Sequence, residues 1–416
     1  MARVKLVVIG LCLIFGLVSP ERIRYDNYRI YQVLPRTYKH LQSLTKLETS
    51  SDSIKFLTPV TLVDNRVNIL VAPHKTADFV AFLDQHEIFF ELVEENFQRI
   101  LDAEQEDFKK RANTYDWTGY HTLNETYEWM RWMQSRFPSK MEMIVGGKTY
   151  EGREILGVKI SFKSGNKGIF IEGGIHAREW ITPATVTYII NEIILSTNEE
   201  IRTMAESYDW YIFPHVNPDG FVYTHTTDRL WRKTRSPGTT CYGADANRNW
   251  DVKWMTIGAS SQECSETYAG KSAFSEIEMK SLADYIASLK GKLHAYLSIH
   301  SFGQLLMWPY GYTADPAPHD ADLRQIAEAA TTALSKRFGT QYSIGSIYLA
   351  IYPTSGSSIE WAYDAQNISV AFTYELRPKS SVNGFVLPSA QIIPTALETM
   401  DSLIALTKEA ASLGYL

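Results

Sequence analysis

The sequence predicts an α/β fold, a mixed central sheet with helices on both faces, preceded by a small ferredoxin-like α+β unit. Three observations carry that prediction. From residue 112 onward, apolar β-rich runs alternate with long helical patterns. Residues 21–111 order instead as β-α-β-β-α-β. The two regions meet at a charged helical run, 95–108, ending in Lys109-Lys110-Arg111, with no repeat or low-complexity tract on either side.

At the start, Arg3 and Lys5 precede the apolar run Leu6 to Val18. That layout is a secretory signal peptide and is short for a membrane span, so residues 1–20 are assigned to it. Ser19-Pro20 is a poor small-residue site, which leaves the cleavage point open. The final residues, Lys408 to Leu416, lack the hydrophobic tail of a lipid-anchor signal. A secreted, extracellular product is expected. Its 416 residues, 45% apolar and 21% charged, suit a soluble globular chain. A net charge of −6 gives no electrostatic case for nucleic acid or anionic membrane. Neither partner is expected, and a monomer is. Cys12 leaves with the signal peptide, so Cys241 and Cys264 remain as an even pair in an oxidising compartment, where a disulfide is predicted. Thiolate metal ligation is the alternative. Asn124-Glu125-Thr126 and Asn367-Ile368-Ser369 are glycosylation sequons, the second expected to be silent in a buried strand.

In residues 21–111, strands are predicted at 28–34, near 54–56, at 66–71 and at 88–93, with helices at 38–47 and 76–85. The basic triplet reads as a solvated helix end complementing the macrodipole, or as the place where a trypsin-like protease cuts, at Arg111. In residues 112–416, helices are predicted at 120–137, 183–196, 275–290, 323–337 and 394–411. Strands are predicted at 141–145, 155–162, 168–172, 209–214, 293–300, 341–343 and 370–374.

Three of these strands end in side chains suited to chemistry. The strand 168–172 runs into Gly173-Gly174-Ile175-His176-Ala177-Arg178-Glu179-Trp180, after which Thr182-Pro183 reads as a helix N-cap and first helical position. His176 and Glu179 thus leave the carboxyl end of a strand, where open α/β sheets build their sites, and their donor types suit Zn²⁺. The spacing alone discriminates little. His225 with Asp228 and His319 with Asp322 share it, and the motif is neither HExxH nor HxxEH. The strand 293–300 ends in His300, with His294 at its opposite end, and the strand 370–374 runs into Glu375. If these strands are parallel neighbours, two histidines and two glutamates converge in one crevice.

With Arg229-Leu230-Trp231-Arg232-Lys233, Asp245-Ala246-Asn247-Arg248-Asn249-Trp250, Ser298-Ile299-His300-Ser301 and Thr373-Tyr374-Glu375-Leu376-Arg377, the chain resembles zinc metallocarboxypeptidases of the A/B family in proenzyme form. The likeness spans nearly everything after the signal peptide. It implies one Zn²⁺ on His176, Glu179 and His300, with Glu375 as general base and Arg232 polarising the scissile carbonyl. It also implies that Asp245 orients His176, and that Asn247, Arg248 and Tyr352 grip a substrate's terminal carboxylate. Arg178, Ser301 and Phe385 line further subsites, and Arg229 flanks the cleft. Two positions depart from the commonest pattern: Phe302 where a Tyr is frequent, and Glu360 where an Asp is usual.

The specificity pocket by this likeness has Ile359 at its base beside Gly311, Ile347 and Thr373, with Met307 and Thr354 also pocket-side, which implies aliphatic or aromatic C-terminal residues. A basic preference would need a buried carboxylate, and Glu360 is the candidate that keeps a B-type enzyme as an alternative. The implied partners are peptide or protein C-termini, an activating trypsin-like protease and proteinaceous carboxypeptidase inhibitors. A non-catalytic binding protein on the same fold would require a lost ligand or a lost Glu375, and neither is lost. A zinc deacylase or amidase is disfavoured by the carboxylate-gripping trio. The implied organisation is a signal peptide at 1–20, an activation prosegment at 21–111 and a catalytic domain at 112–416.

Overall fold

Two sheets organise the chain. The structure, a computed structural model, describes residues 22–48, 53–58, 60, 62–111, 114–380 and 382–416, so the expected signal peptide lies outside the described residues. The smaller sheet contains β1 (Arg29–Leu34), β2 (Ile54–Phe56), β3 (Val67–Val71) and β4 (Phe89–Glu94), in the order β2-β3-β1-β4. All its pairings are antiparallel, the split β-α-β arrangement predicted. Strand alternation gives the sheet two apolar faces. Tyr31, Val33, Ile69 and Val71 pack against Leu44, Phe79 and Leu83 of the helices Tyr38–Glu48 and Thr76–Gln85. Ile30 and Leu70 face the other way, into a cluster with Tyr25, Leu57, Phe97 and Leu101 that also contains Leu230 and Val386 of the larger unit. The small unit is therefore seated on the large one by its own second face.

The larger sheet contains β5 (Met141–Lys148), β6 (Glu154–Ile160), β7 (Lys167–Gly173), β8 (Tyr208–Phe213), β9 (Leu293–Ser301), β10 (Leu305–Trp308), β11 (Ser343–Ser346) and β12 (Val370–Leu376). Their order is β11-β10-β12-β9-β7-β8-β6-β5. The centre, β12-β9-β7-β8, is parallel, with antiparallel neighbours β10 and β6. Parallel strands covered on both sides read as continuous apolar runs, and β12 is buried at every position. On one face, Glu172 accepts from Ser358 of helix Ser358–Gln366, and Phe213 meets Tyr285 of helix Ile277–Ser288. On the other, Gly173 lies against Val186 of helix Ile181–Leu195, and Tyr374 bonds Ser402 of helix Ile392–Ser412. Helices on both faces are what the alternating pattern predicted.

Some local expectations change. Thr182 is not the N-cap of its helix; Trp180 holds that position. The Thr182 hydroxyl instead accepts from the Gly174 N–H at 2.9 Å, tying the helix back onto the turn that precedes it. Asn367 is not inside a buried strand. It caps helix Ser358–Gln366 in a left-handed conformation, φ 57°, and is exposed. Asn124 is exposed as well, in the first turn of helix Leu123–Arg136. Helices Glu199–Ser207 and Pro218–Thr226 and strand β10 lie outside the predicted elements, as does helix Ser358–Gln366. The first two helices carry good caps, Asn198 and Asn217, but all three are only 9 residues long, too short for periodicity to show. Cys241 and Cys264 form the predicted disulfide.

The turn after β7 requires a glycine. Gly174 has φ 67°, and a Cβ there would lie 3.0 Å from the Pro214 carbonyl. Gly174→Ala is expected to cost about 1–2 kcal/mol in a urea titration, the penalty of a left-handed conformation for a residue with a Cβ. It should also weaken zinc binding, because His176 follows two residues later. A midpoint equal to that of the unmodified chain would contradict this account of the turn.

Candidate active site

Register brings the predicted groups together. In the β9–β12 pairing His300 lies opposite Glu375, and in the β7–β9 pairing Gly173 lies opposite Ile299, so the three strand ends are adjacent. His176 Nδ1 is 2.8 Å from a Glu179 carboxylate oxygen and 3.1 Å from His300 Nδ1. His300 Nδ1 is 3.3 Å from the other Glu179 oxygen. One ligand atom from each of the three residues falls within 4.8 Å of the others, and all three side chains are buried. Two imidazole nitrogens and a carboxylate facing one point suit Zn²⁺ with an open fourth position. Burial opposes charge on Glu179, but the two imidazoles outweigh it and hold the carboxyl below its ordinary range.

Behind the ligands sits Asp245, fully buried. One of its oxygens is 3.1 Å from His176 Nε2 and accepts the Asn247 N–H at 2.9 Å. The other accepts from Arg232 Nη2 at 2.8 Å and Nε at 3.2 Å. Desolvation alone would protonate it; Arg232, Arg248 and His176 together hold its carboxyl well below the usual range. A carboxylate on the far nitrogen fixes the tautomer that leaves Nδ1 free for a metal. The Arg232 guanidinium is in turn locked in its charged form: burial works against it, and Asp245 overcomes this.

A cleft of about 950 Å³ opens over these groups and is lined by His176, Arg178, Glu179, Arg232, Arg248, Ser301, Phe302, Tyr352, Glu375 and Phe385. Burial, with Glu179 nearby, pushes the Glu375 carboxyl upward, against the pull of His300 and Arg232. Arg178 stacks over the Phe385 ring at 4.1 Å and pairs with Glu266 at 3.1 Å, while Phe302 meets Phe385 edge-on at 4.9 Å. Arg248 is fixed by bonds to the Gly258 and Asn247 carbonyls, with the Tyr352 ring 5.7 Å away. Asn247 accepts from the Ser358 N–H at 3.0 Å, joining this group to the helix that carries Ile359. Ile359 is buried and apolar. Glu360, next to it, accepts from the Gly311 and Tyr312 N–H groups at 2.6 and 3.1 Å and from Ser357 Oγ at 2.8 Å. Burial pushes its carboxyl up to about 7.

The competing His–acid pairs do not join this centre. His225 stacks on Trp180, Asp228 accepts the Tyr25 hydroxyl, and His319 and Asp322 both face the Tyr415 hydroxyl. Some participants had no sequence signal. Glu172, fully buried below the site, takes bonds from Ser298 and Ser358 at 2.7 and 2.8 Å. Glu104, on helix Gln98–Lys110, forms a two-pronged pair with Arg229 at 2.7 and 2.8 Å. The small unit also lines the cleft itself, through Thr45, Glu48, Ile54 to Thr58 and Val60. Glu48 lines the cleft while remaining exposed, and there the surrounding protein, with Glu266, acts to raise its carboxyl against the pull of Arg232.

Comparison with known proteins agrees with this geometry. The zinc carboxypeptidase family model matches residues 126–402, and the carboxypeptidase activation peptide model matches residues 31–104. Zinc carboxypeptidase A 1 of Drosophila melanogaster is 50% identical over 424 residues, covering 97% of this chain and 98% of that one. Among solved structures, carboxypeptidase A from Helicoverpa armigera superimposes with a TM-score of 0.87 at 27% identity, covering 95% of this chain and all of that one. Bovine thrombin-activatable fibrinolysis inhibitor, solved in complex with tick carboxypeptidase inhibitor, gives a TM-score of 0.68 at 35% identity over 71% of this chain and 99% of its own. With both models matched in order and a buried His₂Glu group at the end of the central strands, the chain belongs to the zinc carboxypeptidase family, as an A-type proenzyme.

Proposed function

We propose that this chain is a secreted zymogen that, once cut in its basic triplet, removes aliphatic or aromatic residues from peptide C-termini. The observation that carries the reading is the meeting of three ligand atoms within 4.8 Å, in the same cleft as Glu375 and Arg232. Residues 1–20 are the signal peptide, 21–111 the activation prosegment and 112–416 the catalytic domain. The prosegment holds the enzyme inactive by roofing the cleft, and a trypsin-like protease releases it by cutting within Lys109-Lys110-Arg111. Proteinaceous carboxypeptidase inhibitors are further partners, and the active unit is a monomer.

His176, Glu179 and His300 hold the zinc, which when bound supplies a Lewis acid that acidifies water and polarises a carbonyl. The protein's own groups do the rest. Arg248, Asn247 and Tyr352 receive the terminal carboxylate, with the planar guanidinium giving the bidentate fit that an exopeptidase needs to recognise a chain end. Arg232 donates to the scissile carbonyl oxygen as negative charge develops there. Glu375 removes a proton from the attacking water as the oxygen–carbon bond forms, then delivers it to the departing amine nitrogen as the carbon–nitrogen bond breaks. A carboxyl whose pKa is raised by burial accepts and returns a proton near neutral pH more readily than an exposed one. Arg178, Ser301, Phe302 and Phe385 line the subsites for residues further from the scissile bond.

Specificity follows from what the pocket lacks. Ile359 offers no charge, and a Lys or Arg side chain against it would be desolvated and unpaired, a cost of several kcal/mol. The Glu360 carboxylate supports this reading, because its three hydrogen bonds are spent on Gly311, Tyr312 and Ser357. It braces the pocket wall and does not offer a counter-charge.

Three outcomes are expected. Glu375→Ala, or removal of the metal by a chelator, should reduce release of C-terminal Phe from a peptide by several orders of magnitude, with circular dichroism unchanged. Full activity in the variant would end the assignment of Glu375 as the base. The uncut chain should show little activity until trypsin opens the triplet; equal rates before and after cutting would rule out the zymogen reading. Ile359→Asp should move preference from Phe and Leu toward Lys and Arg. If the unmodified enzyme releases Arg faster than Phe, Glu360 becomes the residue to replace.

A further inference from the structure

Activation is read as a cut in the basic triplet, the reading on which this inference rests, and cleavage after Arg111 would require a protease to take the Arg111 side chain into its own specificity pocket. In the uncut chain that side chain is already bound. Its Nη1 and Nη2 donate to the two oxygens of Glu125 at 3.0 and 2.6 Å. Nη1 also donates to the Tyr120 carbonyl at 3.1 Å and lies 2.8 Å from His121 Nδ1. The guanidinium sits 3.9 Å above the Phe108 ring, and Nε donates to the Phe108 carbonyl. On the side facing Gly119 the fit is close enough that a Cβ there would lie 2.9 Å from Arg111 Cβ. The side chain is 13% exposed.

The acceptors are prepared for a cation. Glu125 is the third helical residue of a capping box, and the Thr122 N–H and hydroxyl hold one of its oxygens at 2.7 and 2.8 Å. Burial acts to raise its carboxyl, but the bonds from Arg111 and Thr122 bring it down to about 2. His121 Nε2 lies 2.8 Å from the Asp116 carbonyl, so the proton sits on Nε2 and Nδ1 is left as an acceptor toward Arg111. Lys109 and Lys110, by contrast, are both exposed on the last turn of helix Gln98–Lys110.

We infer that the catalytic unit carries a built guanidinium pocket for Arg111, whose occupancy protects the bond after Arg111 from trypsin-like proteases and directs the first cut to Lys110. The pocket competes with the protease for one side chain. Cleavage after Arg111 then waits for the guanidinium to leave Glu125, whereas Lys110 needs only the helix end to fray.

The test adds trypsin to the full chain and, separately, to a free peptide spanning residues 104–117, with mass spectrometry reporting which bond opens and how quickly. The unmodified chain should open first after Lys110, and its bond after Arg111 should open at least about tenfold more slowly than in the peptide. Glu125→Gln removes the charge while keeping an acceptor for the Thr122 amide. Arg111→Lys keeps a tryptic residue but loses the planar fork. Each should speed cleavage after residue 111, relative to its own peptide, by about tenfold or more, the scale of losing one or two charge-assisted hydrogen bonds. Equal relative rates in all three folded proteins, or a first cut after Arg111 in the unmodified chain, would overturn the inference. Cleavage is read by mass, so a cut chain that gains no peptidase activity would defeat the activation reading while leaving the pocket to be judged on the rates.

Discussion

The site depends on one buried carboxylate. Asp245 joins the far nitrogen of a metal-facing histidine to the guanidinium that stands beside the reacting carbonyl in the proposed chemistry. A lone carboxylate in such surroundings would cost several kcal/mol to keep charged, and a lone buried Arg232 would cost about as much. Each makes the other tolerable, and His176 completes the balance. The consequence is geometric: the imidazole cannot rotate and the guanidinium cannot drift without breaking a shared contact. Trp250 and Tyr268, one fully buried and the other nearly so, flank the loop that carries Asp245, and the Tyr268 carbonyl takes the Asp245 N–H at 2.7 Å. Rigidity in this pair is thus inherited from the core and passed to the metal centre.

The sheet supplies the rest of the precision. Four parallel strands end on one level: Leu376 pairs with Ser301, Ile299 with Gly173, and Glu172 with Phe213. His300 and Glu375, next to the last positions of β9 and β12, are paired in register, so the sheet backbone aims both side chains. Only the β7 ending needs special chemistry, because its two functional residues lie beyond the strand. Gly174 turns the chain and Thr182 bonds the turn to its following helix. A loop that would otherwise be mobile becomes an extension of the sheet.

Much of this was legible in the sequence, and the failures have physical causes. The fold class followed from alternating apolar runs, and the metal group from three strand ends carrying His or Glu. Register could not be read, since nothing in the residues 293–300 or 370–376 states which strand is whose neighbour. The Thr182 cap was misplaced because a hydroxyl before a proline satisfies the local rule, while the bond it makes is to Gly174, eight residues back. Asn367 lies just ahead of the predicted strand 370–374, but its left-handed conformation ends the preceding helix, and its side chain is exposed. Glu104 and Glu172 escape a reading of the sequence for a shared reason. A glutamate on an amphipathic helix or at a strand end looks the same whether it faces water or a buried partner.

The charges around the cleft belong to two states of one protein. Arg229 is 1% exposed, stacked on Trp180 at 3.7 Å, and its counter-charge Glu104 comes from the small unit. Arg178 has Glu266 from the large unit and keeps its partner whichever way the small unit goes. When the small unit departs, Arg229 loses its carboxylate together with the protein that excludes water from it. The two losses offset, because the cation that loses its partner is rehydrated at the same moment. A pair buried at a separable interface therefore favours the closed form by less than one buried in a core, where removing a partner leaves the charge dry. The apolar cluster of Tyr25, Ile30, Phe97 and Leu101 against Leu230 and Val386 has no such relief, since exposing it to water is unfavourable on both sides. Apolar contact is thus the part of the interface that favours the seated small unit throughout, and the ion pair adds direction to it.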